Sequence, residues 1–128
     1  MYQNLVIVEL KGTLTLVKTE QSLSQIKQSI KAQTGNLLLD LGQLGFVDSA
    51  GLAVLVRLHK LTNSMGIRMA LCTLPVQVNQ LLHLSGMFDF FEVFDSREDF
   101  YQNWSSQFPA GSSFPTLAAI PVVTIATE

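Results

Sequence analysis

A single cysteine, Cys72, occurs in the 128 residues, which excludes an internal disulfide and any cysteine-based metal cluster. A lone thiol of this kind is expected as a small buried apolar residue on a strand. Charge is scarce as well. Charged residues make up 14% of the chain against 48% hydrophobic, a share that points to apolar surface covered by a partner. The formal net charge of −2 gives no basis for a nucleic-acid partner. What charge there is lies unevenly, with seven Lys/Arg against four acids in residues 1–68 and Arg97 alone against six acids in residues 69–128. Such polarity orients a partner without identifying it. No apolar run approaches the ~18 residues of a membrane span, and Met1-Tyr2-Gln3-Asn4 lacks the features of a secretion signal. A cytoplasmic protein without membrane insertion is expected. Neither G-x-G-x-x-G nor a P-loop is present, so nucleotide binding has no motif behind it. His59 and His83 fall on separate helical segments, away from any nucleophile or carboxylate at triad or ligand spacing. The chain is therefore expected to be no enzyme and to hold no cofactor or metal.

What is present suffices for one domain with a core of its own. Residues 5–10 form a mostly apolar run, and Leu14 and Leu16 alternate with Thr13 and Thr15. With Lys11-Gly12 between them, these predict two antiparallel strands joined by a tight turn. Ser22-x-x-Gln25 resembles a capping box, with Leu23, Ile26 and Ile30 at helical spacing opposite Lys27, Gln28 and Lys31, and Gly35-Asn36 as the helix end. Leu37 to Leu41 lacks polar alternation, as a central strand covered on both faces does. From about Ala50 to Ser64, apolar rows cover most of a buried helix, leaving Ala53, Arg57, Lys60 and Ser64 in line on the remaining face. A strand with Ile67, Met69 and Leu71 follows Gly66. Then come a short helix from Pro75, a strand over Phe90 to Phe94, and a helix start at Ser96-x-x-Asp99 that turns Phe100 and Trp104 inward. This alternation predicts an α/β fold: a mixed sheet of about five strands covered by about four helices. Residues 105–115 read as a Ser/Pro/Gly linker. For Thr116 to Thr127 the expectation is a loose tail, with an edge strand on this molecule or on a neighbour, and self-association through it, as the alternative.

The stretch that organises the chain is Asp40 to Leu52. It reads as a strand end, a glycine-bearing loop and a helix start at Asp48-Ser49, where backbone N–H groups and the helix dipole favour an anion. Two readings stand side by side. Asp and Ser are both good helix caps, contributing about 1 kcal/mol. Alternatively Ser49 is a phosphoacceptor at an exposed helix start, with Gly51 leaving room for another protein's active site. A phosphate there would add about −1.5 to −2 charge beside Asp48 without unfolding the helix.

Residues 37–58, LLLDLGQLGFVDSAGLAVLVRL, resemble the signature of STAS domains, and especially of the bacterial anti-sigma factor antagonists. In that family a strand ending in Asp-Leu leads through a loop to Asp-Ser-(Ser/Thr/Ala)-Gly-Leu at a helix start. Gly66, Pro75, Ser85-Gly86-Met87 and the Phe-rich run into Asp95-Ser96 agree with the pattern, and the likeness covers about residues 4–104. One departure is Gly12-Thr13-Leu14-Thr15, where the family carries Gly-Glu-Leu-Asp near the partner surface. The resemblance implies a STAS domain over residues 1–104, followed by the 105–128 segment. It further implies an anti-sigma factor serine kinase as partner, phosphorylation of Ser49 by that kinase, and a serine phosphatase for reset. The binding face would comprise Asp48, Ser49, Gly51, Leu52, Ala53, Arg57 and Lys60. The alternative is a constitutive STAS scaffold, such as a subunit of a lipid-transport assembly, in which Asp48-Ser49 only caps the helix.

Overall fold

The computed structural model describes residues 4–15, 19–30 and 35–127. Among the described residues, five strands form one sheet: β1 (Leu5–Leu14), β2 (Asn36–Val47), β3 (Arg68–Cys72), β4 (Glu92–Phe94) and β5 (Val122–Ala126). The α-helices among the described residues are α1 (Thr19–Ser29), α2 (Ser49–Ser64), α3 (Val76–Leu84) and α4 (Arg97–Ser105). The strand order is β4-β3-β2-β1-β5, and all four pairings are parallel.

Chain direction and crossover handedness explain the two layers of helices. The path β1, β2, β3, β4 steps the same way across the sheet each time, so right-handed crossovers put α1, α2 and α3 on one face. The last crossover, from β4 back to β5 beyond β1, runs the opposite way and puts α4 on the other. Period-two alternation along β2 matches this. Leu37, Leu39 and Leu41 join a core cluster with Leu23, Ile26, Val54, Leu55, Leu58, Val78 and Leu82. Leu38 turns to the second cluster with Leu5, Ile7, Ala70, Cys72, Phe100, Trp104 and Ile120. The apolar run at residues 37–41 thus serves two cores at once.

Several expectations are corrected. The hairpin at Lys11-Gly12 is a single strand: β1 pairs with β2 on both sides of Gly12, with register irregularities at Glu9/Lys11 and Gly12/Thr13. The extra residues at both irregularities lie on β2, with Leu41 and Gly42 opposite Leu10 and Gly45 between the partners of Gly12 and Thr13. Gly12, at φ 92°, lets β1 run on beside them, so the sheet is parallel throughout the described residues where a mixed one was expected. The glycine-bearing loop after Leu41 is extended strand to Val47, held along β1. Ser22 lies inside α1 and is buried, because that helix begins at Thr19. The helix ends at Ser29, and Asn36 already belongs to β2. Leu16 and Lys31 lie outside the described residues. Phe88–Phe90 forms a 3-10 turn ahead of the short β4. Ser96 caps α4 as expected, its Oγ accepting from Asp99 N at 3.1 Å.

The largest correction concerns the end of the chain. Val122–Ala126 is the edge strand β5 on this molecule, and the preceding segment packs down. Phe108 and Phe114 meet Trp104, with ring centroids 5.1 and 6.2 Å away, and Tyr101 donates to the Pro115 carbonyl at 2.8 Å. The physical reason is that short α4 leaves part of its sheet face bare, and residues 108–120 supply the missing apolar cover.

An ion cluster ties these parts together. Arg97 on α4 donates through Nε to Asp40 Oδ2 at 2.6 Å and through a terminal nitrogen to Glu9 Oε2 at 2.9 Å. Asp40 Oδ1 also accepts from Gly42 N at 2.9 Å, and Glu9 Oε1 from the Thr124 hydroxyl on β5 at 3.3 Å. Removing the cation leaves a buried carboxylate, Asp40, and a half-buried one, Glu9, side by side without compensation. Arg97→Met is expected to cost about 2 kcal/mol, discounted for partial exposure. The check is a lower urea midpoint at unchanged slope.

Candidate functional site

Strand β2 delivers Val47, Asp48 and Ser49 to the start of α2. Asp48 is extended (φ −100°, ψ −174°) and is the N-cap. Its Oδ1 accepts from Gly51 N at 2.8 Å and its carbonyl from Leu52 N at 2.9 Å. Its own N–H donates to the Leu14 carbonyl at 3.2 Å, so the end of β1 is pinned against the first turn of the helix. The capping role falls to Asp48, and Ser49 is the first helical residue, with its side chain exposed.

Gly51 explains how closely these pieces approach. A Cβ built there would lie 1.9 Å from the Leu14 carbonyl oxygen and 2.7 Å from its carbon. The glycine therefore makes room for β1, and the reading that it clears space for a partner's active site is corrected. Gly51 and Leu52 are both buried, so they support the predicted face from beneath. Ser49, Ala53, Arg57 and Lys60 are exposed in one row down α2, with Asp48 half-buried at its head. Arg57 is turned toward α1, donating to Glu20 at 2.9 Å. This hydrogen bond and charge hold the Glu20 carboxyl below its ordinary range. Both partners are well exposed, so the pair orients Arg57 more than it stabilises the fold.

Sequence reasoning missed Gln77. Its carboxamide brackets Val47 from α3: Oε1 accepts from Val47 N at 2.9 Å and Nε2 donates to Val47 O at 2.7 Å. The only hint was Pro75, which fixes the start of α3 and so places Gln77 in its first turn.

Other reactive side chains are accounted for structurally. His59 packs on Phe90 with centroids 4.5 Å apart, and His83 stacks on Phe88 at 4.1 Å. Cys72 is buried as expected, and burial pushes its thiol up to about 11, which keeps it protonated and unreactive. Among the described residues no group of three or more His, Cys, Asp or Glu is placed to hold a metal ion. No helix there is long and apolar enough to cross a membrane.

The model of the STAS domain matches residues 1–100. Over 96 residues the chain is 32% identical to an anti-sigma F factor antagonist of Paenibacillus polymyxa, spanning 74% of this chain and 82% of that one. The structure of the anti-sigma factor antagonist SpoIIAA in its unphosphorylated form superposes with a TM-score of 0.66 at 18% identity, covering 84% of this chain and 93% of that one. A sulfate transporter family protein from Wolinella succinogenes superposes with a TM-score of 0.69 at 15% identity, covering 80% and 85%. At such identities the two superpositions speak for the fold alone.

Proposed function

Because this chain belongs to the STAS domain family, we propose that it is an anti-sigma factor antagonist, a protein-binding switch with no catalysis of its own. Unphosphorylated, its exposed row of Ser49, Ala53, Arg57 and Lys60, headed by Asp48, binds an anti-sigma factor serine kinase and so frees the sigma factor. The kinase supplies ATP and Mg²⁺. Ser49 Oγ attacks the γ-phosphorus, the bond to the bridging oxygen of ADP breaks, and the hydroxyl proton passes to a base of the kinase. A phosphatase restores the hydroxyl by hydrolysis.

The observation that carries this reading is the division of labour between two adjacent residues. Asp48 caps the helix through Gly51 N, which leaves the exposed Ser49 hydroxyl unspent on the cap. A phosphate at Ser49 gains from the dipole of α2, so the fold tolerates it. It also brings about −1.5 to −2 charge next to the Asp48 carboxylate. Binding is switched while the domain stays folded.

Ser49→Asp tests the switch by isothermal titration against the purified kinase. The expected result is a Kd raised about 10- to 100-fold, the loss of roughly 1.4–2.7 kcal/mol that an unpaired interfacial charge imposes. Ser49→Ala should bind normally. The scaffold reading draws on exposed apolar side chains, Val76 at 74% and Leu84 at 88%, which suit a permanent interface. Equal affinities for wild type and Ser49→Asp would favour it.

A further inference from the structure

Resting on the partner binding just described, we propose that the first turn of α3 is a second part of the kinase-docking surface, which Gln77 holds in register with Ser49. The pairing pattern gives the reason. Strand β3 accompanies β2 only as far as Asp40↔Cys72, whereas β1 stays with β2 to Leu14↔Val47. From Gly42 onward, no strand among the described residues pairs with the β3 side of β2. Gln77 fills that gap at Val47, its carboxamide donating and accepting as a neighbouring strand's peptide group would. Val47 directly precedes the Asp48 cap, so the turn of α3 and the acceptor serine are fixed to the same short piece of backbone. The adjoining residue, Val76, is a large apolar side chain left 74% exposed. Val47 itself is buried, but the Gln77 carboxamide on its backbone sets the first turn of α3 beside the stretch that leads into Ser49, so a kinase whose active site reaches Ser49 meets that turn. Val76 offers the apolar contact at that rim.

The test uses the full chain, the purified kinase and three variants. Val76→Asp is expected to raise the Kd for the kinase at least 10-fold and to raise KM for Ser49 phosphorylation with kcat little changed. Leu84→Asp, at the far end of the same helix and 88% exposed at the wild-type residue, should change neither by more than twofold. Gln77→Met preserves length while removing both hydrogen bonds. It should speed hydrogen exchange at the Val47 amide about 10-fold, leave Leu38 and Leu39 unchanged, and raise KM more than it lowers kcat. Wild-type binding with Val76→Asp indistinguishable from Leu84→Asp would overturn this inference and leave the antagonist reading standing. Unaltered Val47 exchange in Gln77→Met would overturn the clamp. A wild type that neither binds the cell's anti-sigma kinases nor is phosphorylated by them would overturn both proposals.

Discussion

Gly51→Ala is expected to destabilise the protein by at least about 3 kcal/mol, the upper end of overpacking costs. Two effects oppose each other at this position. Alanine is the better helix former by roughly 1 kcal/mol, and Gly51 lies within α2, so propensity alone predicts stabilisation. The added methyl, however, would sit 1.9 Å from the Leu14 carbonyl oxygen, inside any real contact distance. The neighbour is backbone, so no rotamer change relieves it. Relief requires β1 and α2 to separate, which breaks the hydrogen bond from Asp48 N to Leu14 O and disturbs the cap beneath Ser49. The clash therefore wins, with a fall in Tm of roughly 10 °C or more. Gly66→Ala is the control. Gly66 has φ 73° and nothing within 4 Å of the built Cβ, so only backbone strain of about 1 kcal/mol applies. Thermal melts of the two variants measure the difference, and a Gly51→Ala protein as stable as Gly66→Ala would refute the packing account.

A chain ending at Ser105 is expected to lose its fixed tertiary structure. The STAS match ends at residue 100, so this boundary would be a natural one to choose. Yet truncation removes β5 from the edge of β1 and uncovers the second core. Ile120 and Ile125 are each buried to within a few per cent, and Phe108, Phe114 and Leu117 pack against the cluster that contains Trp104 and Ile7. Burial of each large apolar side chain is worth about 1.5–3 kcal/mol, and Trp104, Leu5 and Ile7 would lose cover in turn. Part of that loss is offset by the freed chain entropy of the removed residues. The net effect still rivals a whole-domain stability of about 5–15 kcal/mol. Near-UV circular dichroism and dye binding to exposed apolar surface measure the outcome. A truncated protein with the full-length urea midpoint would show that residues 106–128 contribute nothing to the fold.

The features readable from sequence were those set by local chemistry. Residues 37–41 announced a strand buried on both faces, and the spacing of Ala53, Arg57 and Lys60 marked the one exposed row of an otherwise buried helix. Asp48 and Ser49 marked a helix start. What remained hidden depended on partners distant in the chain. Lys11-Gly12 carries the same signal in a hairpin turn as inside a strand that runs on past an irregular register, and only the pairing of β1 with β2 decides between them. Residues 116–127 look alike as a loose tail and as an edge strand until β1 is seen to lack a neighbour on that side. Gly51 was noticed for its small size, but the carbonyl that demands it comes from Leu14. Gln77 gave no signal of its own, since a glutamine in a first helical turn is ordinary until its carboxamide is found on Val47.

The central claim is that Ser49 is a phosphoacceptor, and intact-mass analysis with peptide mapping tests it most directly. The protein would be analysed as isolated from its native cell and again after incubation with ATP and each of that cell's anti-sigma kinases. A gain of one phosphate mapped to Ser49, absent in Ser49→Ala, is the predicted result. No phosphate with any of those kinases, alongside a stable complex recovered from the cell, would contradict the claim and leave Ser49 as an ordinary exposed residue behind the Asp48 cap.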